Sequence, residues 1–399
     1  MRNMKPKGEI ASLTGLRGVA ALLVVVAHYW SWTKVTTTEA LPNIPWAGAS
    51  DIGMAIFFTL SGFVIALSYS HWDWRERPAF NLVRLFFYRF ARLYPAYFVF
   101  IIMIVLTWPD LQDLSDPGAR SYLAPHLLLW QAWLPIKYGG ELASNDHFHV
   151  SWSLSVECAL YLGFGLGIVL VSMLPRWRYR TLMLGLVFFA AIWLLIDAAW
   201  TMREILMPDG WREGDWYLWL FHFSPYTVAL QFGIGVAAYR ISLLRIPAPA
   251  ARLASELGFI GLVVVQGLCI AGWLDHTNDA LPAALATATL MVGARSASVA
   301  NRLLSGRSIV YIGTISYSLY LFHAMIPPLA LHARSFEIYD QTAAFFHAVN
   351  LMSSIVLAII FATGVYHVVE VPGRRYIRAA ADRLLGIQRR PLERGFPAE

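Results

Sequence analysis

The chain has 399 residues, 58% hydrophobic and 14% charged, with a mean hydropathy of +0.54 and a formal net charge of +6. Soluble domains carry about a quarter charged and about half apolar residues, so this balance excludes a soluble globular protein.

Ten apolar runs are centred near 12–32, 52–71, 93–108, 152–174, 181–201, 217–239, 254–273, 280–298, 308–331 and 346–369. A run of about 18 or more such residues is long enough to cross a hydrocarbon core of roughly 30 Å as a helix. The third run is short, and Pro95 fits its start. A further stretch, 121–136 (SYLAPHLLLWQAWLPI), is shorter still and bounded by prolines, and reads as interfacial or re-entrant. With ten helices and both termini cytoplasmic, the Lys and Arg residues favour the inner segments roughly four to one, as the positive-inside rule requires. The basic balance therefore reports orientation, and no nucleic-acid partner is expected. Trp30, Trp32, Trp130, Trp133 and Trp200 fall where an outer aromatic belt belongs, and Trp72, Trp74 and Trp177 at the inner one. The first run is longer than a signal-peptide core and lacks a small-residue cleavage site, so it should remain as a helix. Cys158 and Cys269 fall within helices, and no disulfide framework is indicated. The expected fold is an all-α polytopic membrane protein. Residues 1–373 form one integral domain, and 374–399 a basic cytoplasmic tail with an amphipathic segment at 374–386 suited to anionic lipid.

Ionisable side chains inside a bilayer cost about 2.5–3.5 kcal/mol each on insertion scales, so each needs a reason. In LTGLRGVAALLVVVAH, Arg17 and His28 lie close to three helical turns apart, on one face and separated by roughly 16 Å. Arg17 is near the inner end and His28 towards the outer. A snorkelling arginine and an interfacial histidine would account for the pair equally well. RLFFYRFARLYP sets Arg89 and Arg92 on one helical face at the cytoplasmic surface, where paired guanidinium groups suit phosphate, whether of a ligand or of lipid. His147 and His149 have a metal-like spacing, but two histidines without a third ligand are a weak signal, and no metal site is expected. Glu157 follows Ser153 by four residues, so the hydroxyl is placed to bond the carboxyl; a structural ion pair with an arginine is the plain alternative. In ISYSLYLFHA, Ser316, Tyr320 and His323 form a polar stripe that faces other helices or a cavity, not lipid. Asp197, His222 and His367 have no companions at informative spacing and read as helix-end or packing residues.

Taken together, these stretches resemble the bacterial integral-membrane acyltransferase family three, the sugar O-acyltransferases. The first helix resembles that family's signature of an arginine and, after ten residues, a histidine. IFFTLSGFVIALS is similar to its FFxLSGF helix, here with Ser61 and Gly62. RFARLYP matches its paired-arginine segment and WSLSVE its Glu-bearing helix, and SYSLYLFH and VEVPGRR resemble its last two motifs. The matches run in order from residue 13 to residue 375. Two departures bear on the acceptor site: Cys158 and Ala159 stand where the family often has a second carboxylate, and the residues before FF are apolar. Some members add an extracytoplasmic esterase-like domain; the form expected here stands alone.

The resemblance implies an acyl-CoA-dependent O-acyltransferase of the bacterial inner membrane. It would move an acyl group, most often acetyl, from cytoplasmic acyl-CoA to a sugar hydroxyl of a surface or exported glycan or glycolipid. His28 would be the general base and Glu157 its orienting partner. Arg17, Arg89 and Arg92 would hold the CoA phosphates, and Ser153, Ser316, Tyr320 and His323 the acceptor. Acyl-CoA is then a substrate, and no permanently bound cofactor is expected. An acyltransferase with a lipid or small-molecule acceptor is the alternative within the class. A secondary transporter or flippase of glycan intermediates is the alternative outside it, although the sequence shows no inverted repeat.

Overall fold

The structure is a computed structural model, and it describes residues 10–35, 46, 48–108, 111–113, 115–138, 141–142, 149–173, 185, 195, 219–274, 279–326 and 343–387. Among these residues the fold is helical, apart from a two-residue antiparallel ladder that pairs Lys137–Tyr138 (β1) with Glu141–Leu142 (β2). The helices are α1 (Ala11–Val35), α2 (Ala49–Tyr69), α3 (Pro78–Thr107), α4 (Pro117–Leu127), α5 (Trp152–Met173) and α6 (Pro225–Ser242). They continue as α7 (Ala248–Ile270), α8 (Ala280–Val292), α9 (Val299–Leu304), α10 (Arg307–Phe322), α11 (Ala343–Val365) and α12 (Val371–Leu384).

Among the described residues, six stretches are long and apolar enough to cross a membrane: Ala11–Ser31, Ala49–Tyr69, Pro78–Thr107, Trp152–Met173, Ala248–Ile270 and Val349–Leu384. Ala280–Val292 is a shorter apolar helix. The protein is therefore multi-pass. Of the ten expected runs, 181–201 lies outside the described residues apart from positions 185 and 195, as does Asp197. The third run differs from expectation. α3 starts at Pro78 and passes through Pro95 to Thr107, a 30-residue helix roughly 45 Å long. Proline costs a helix one donor and crowds the preceding turn, but neighbouring helices in a membrane bundle make this tolerable. α4 has only 11 residues, and the chain turns back at Leu129 with a φ of 58°. Asp116 accepts from the backbone N–H groups of Gly118 and Ala119 and so caps its start.

α1 is the central helix, packed against α2, α10 and α11. The contacts are close because small residues let backbones meet. A Cβ on Gly62 would lie 2.0 Å from the Phe232 carbonyl oxygen, and one on Gly235 would lie 1.8 Å from that of Thr59. α2 and α6 are thus locked in register by reciprocal glycines. Beyond α11 the helix widens into a π turn at Tyr366–Glu370 and continues as α12. The basic segment 374–386, expected on lipid, packs one face of its helical part against α3: Tyr88 Oη donates to Asp382 Oδ1 at 2.6 Å, and Arg378 lies over the Tyr88 ring. An acidic residue between the arginines gave α12 a partner that the net basic charge concealed. Trp74 likewise belongs to a buried cluster, not an exposed belt, with its indole N–H on the Tyr69 carbonyl.

Candidate active site

A cavity of about 70 Å³ opens where α1, α2, α3, α5 and α10 meet. Arg17, Arg89, Arg92, Ser61, Ser153, Glu157, Tyr161, Ser316, Tyr317 and Tyr320 supply its polar walls, and Met54, Phe57 and Phe58 part of its apolar ones. Seven of the nine candidate site residues therefore share this wall: Glu157, the three arginines, Ser153, Ser316 and Tyr320. They run from position 17 to position 320 and come together because the inward faces of four helices, α1, α3, α5 and α10, meet there.

Arg89 is not at the surface. It is 7% exposed, and its guanidinium sits between the rings of Tyr69 and Tyr161, at 4.9 and 4.8 Å from their centroids. Cation–π contacts on both faces let a buried cation keep part of its solvation. Glu157 does not bond Ser153. Its Oε1 accepts from Ser61 Oγ at 2.6 Å and from the Tyr161 hydroxyl. Helix side chains lean towards the N-terminus, so the long tyrosine four residues later reaches back to the carboxylate. Ser153 instead meets the Tyr320 hydroxyl at 2.8 Å, and Tyr320 Oη donates to the Val150 carbonyl at 2.9 Å. Cys158 is half-buried and takes no part in these bonds.

His28 and His323 stand outside the cavity walls, beyond Tyr320, whose ring centroid is 6.0 Å from that of His323. His28 Nδ1 is 2.9 Å from His323 Nε2. His28 thus meets His323, the residue assigned to the acceptor by the sequence, while Glu157 is bonded to α2 and to its own helix.

Two further residues complete the charge pattern. Glu370, 3% exposed, accepts from Ser318 Oγ at 2.7 Å, and the cations that act on it are Arg92, Arg374 and Arg17. Arg374 is 4% exposed, although the sequence placed it in the tail. The i, i+4 spacing of Glu370 and Arg374 in VEVPGRR was the available signal. His149 is within the described residues, whereas His147 is not, and no group of three or more metal-ligating side chains occurs among the described ones.

A second, open cavity of about 770 Å³ lies among the ends of α6, α7 and α8, with Arg252, Glu256 and Arg295 on its rim. Glu256 is already engaged with the backbone N–H groups of Val299 and Ala300. None of the candidate residues reaches this cavity.

Comparison with known proteins identifies the family. The acyltransferase domain family matches residues 10–367. An acyltransferase of Streptomyces mycarofaciens, MdmB, is 30% identical over 80% of this chain and 79% of its own. A putative peptidoglycan O-acetyltransferase of Bacillus subtilis, YrhL, is 25% identical over 92% of this chain and 55% of its own. The peptidoglycan O-acetyltransferase OatA of Listeria monocytogenes is 23% identical over 79% of this chain and 49% of its own, so the chain spans about half the length of these last two relatives. No solved structure matches. The family match covers every helix that builds the cavity, and the chain belongs to the integral-membrane acyltransferase family three.

Proposed function

We propose that the protein transfers an acyl group, acetyl being the simplest, from acyl-CoA to a hydroxyl of a sugar in a surface or exported glycan, with His28 as general base. The observation that carries this reading is the convergence of Arg17, Arg89 and Arg92 on one polar cavity, a layer away from a paired histidine. Guanidinium groups suit the phosphates of CoA. The cavity has room for a small acyl group, so the wider pantetheine path requires side chains to move as the donor enters. A glycan acceptor follows the descriptions of the Bacillus and Listeria relatives as peptidoglycan O-acetyltransferases. A lipid or small-molecule acceptor is the alternative.

In this reading neutral His28 takes the proton of the attacking hydroxyl, which bonds to the thioester carbonyl carbon. Collapse of the tetrahedral adduct breaks the C–S bond, and CoA leaves as a thiol once the proton is returned. The test is incorporation of label from radiolabelled acetyl-CoA into inverted membrane vesicles that contain the full chain. His28→Gln should lower kcat by about 10²–10⁴, the range a general base contributes. A variant that keeps more than about a tenth of the rate would remove His28 from the chemistry. The labelled product, separated into glycan, lipid and small-molecule fractions, identifies the acceptor class.

A further inference from the structure

The contact between the two histidines decides which nitrogen of His28 can act as a base. His323 is fully buried, just beyond α10. Its Nδ1 is 2.6 Å from the backbone carbonyl oxygen of Tyr320. A carbonyl oxygen only accepts, so Nδ1 of His323 carries the hydrogen. A neutral imidazole has one N–H, which makes Nε2 of His323 an acceptor. That Nε2 faces Nδ1 of His28 at 2.9 Å, so Nδ1 of His28 donates and Nε2 of His28 holds the lone pair. The ring centroids are 5.1 Å apart with planes 5° from parallel, as for two imidazoles joined end to end through their nitrogens. The backbone here is pinned as well: the hydroxyl of Tyr29, next to His28, donates to the His323 carbonyl at 2.9 Å. Adjacent residues of α1 thus hold both the side chain and the main chain of one residue at the end of α10.

We propose that His323 is a positioning residue that holds His28 as its Nδ1–H tautomer and presents Nε2 to the acceptor hydroxyl. The inference rests on His28 being the general base. The hydroxyl proton passes to His28 Nε2 as the C–O bond forms, and from Nε2 to the departing sulfur as the C–S bond breaks, so each turnover returns the neutral imidazole. His323 does not ionise. It does the orienting work that a carboxylate does in a Ser-His-Asp triad, through a neutral hydrogen bond, and so avoids burying an ion pair. Without it the hydrogen of His28 is free to settle on Nε2, and the base nitrogen is then blocked.

The experiment uses the full-length protein in membranes, with radiolabelled acetyl-CoA as donor and the membrane's own acceptors. His323→Leu should lower kcat about ten- to hundredfold while the KM for acetyl-CoA stays within about twofold, because the base is misoriented and the donor site is untouched. His323→Gln, whose Oε1 can stand where Nε2 stood and accept from His28, should recover part of that loss. Nitrogen-15 spectra of the histidine-labelled wild type should show His28 protonated at Nδ1, and His323→Leu should shift that proton towards Nε2. An inactive His28→Gln beside a His323→Leu of normal kcat would overturn this inference alone. Full activity in both would instead remove the general-base reading. If His323→Leu does not insert, the wild-type spectrum and His323→Gln decide: protonation of His28 at Nε2, or a Gln variant with no activity despite normal insertion and KM, counts against the proposal.

Discussion

Glu157 and the arginines near it are the residues whose roles depend most on local chemistry. Glu157 accepts from Ser61 and Tyr161, and its amide isostere keeps an acceptor oxygen in the same place. Glu157→Gln should therefore leave thermal stability in detergent nearly unchanged, whereas Glu157→Ala removes the acceptor that both hydroxyls share, leaves them only each other at 3.1 Å, and should cost about 1–3 kcal/mol. An equal drop in melting temperature for both would show that the charge, not the hydrogen bonds, matters. The arginines divide differently. Arg89 is fixed between two aromatic rings, so its replacement disturbs packing as well as charge. Arg92 is half-buried and lines the cavity, which makes it the cleaner probe of donor binding. Arg92→Gln should raise the KM for acetyl-CoA about tenfold or more, matching the 1.5–3 kcal/mol of a charge-assisted contact. A KM within twofold of wild type would assign Arg92 to lipid or to Glu370 instead.

At the scale of elements, the molecule is held together by helix pairs whose backbones nearly touch. α2 and α6 meet at Gly62 and Gly235, and the same stretch of α2 carries Ser61 into the cavity. Gly62→Ala puts a methyl group 2.0 Å from the Phe232 carbonyl oxygen, so the helices must part. Overpacking of this kind costs about 1–3 kcal/mol, and the shift of Ser61 and Glu157 should reduce turnover along with stability. Gly163→Ala on α5 is the control: nothing lies within 4 Å of its Cβ position, and the substitution should be neutral or stabilising by up to about 1 kcal/mol. Equal melting temperatures for the two variants would sink the packing argument. FFTLSGF made this contact legible, because a glycine one residue beyond a serine on an apolar helix marks a face built for close approach. Its partner in QFGIG could not be read, since nothing local to a sequence says which two glycine-bearing helices will meet.

For the whole molecule, the ten-helix layout with cytoplasmic termini makes a labelling prediction. In a background with Cys158 and Cys269 replaced, Ser115→Cys should react with an impermeant thiol reagent from outside the intact membrane. Ile246→Cys and Arg302→Cys should react only after permeabilisation, because the basic segments around them are expected on the inner side. Outside labelling at 302 would overturn the layout. The same layout places the arginine-lined cavity nearer the inner face and the histidine pair nearer the outer one, since Arg17 precedes His28 by roughly 16 Å along α1. Donor and acceptor would then approach the reacting centre from opposite ends of one helix.

The sequence by itself determined the class of protein and many of its helices, and it named Glu157, the three arginines, Ser153, Ser316 and Tyr320, which line the cavity. Composition, run length and the order of six motifs are properties of the chain taken a few turns at a time, and an ionisable side chain in an apolar helix declares itself wherever that helix ends up. It could not determine partners. Whether Glu157 bonds Ser153 or Tyr161, and whether His28 is oriented by that carboxylate or by His323, depends on the rotation and depth of one helix against another. Helical periodicity fixes which residues share a face, but not which face of a distant helix will lie opposite. Nor did net charge reveal that Arg374 is buried beside Glu370, because a residue's neighbours in space, more than its neighbours in sequence, set what its charge is for. Only the packing of α1 against α2 and α10, and of α3 against α5, α10 and α12, decided those pairs, and with them the nitrogen on which the proposed chemistry turns.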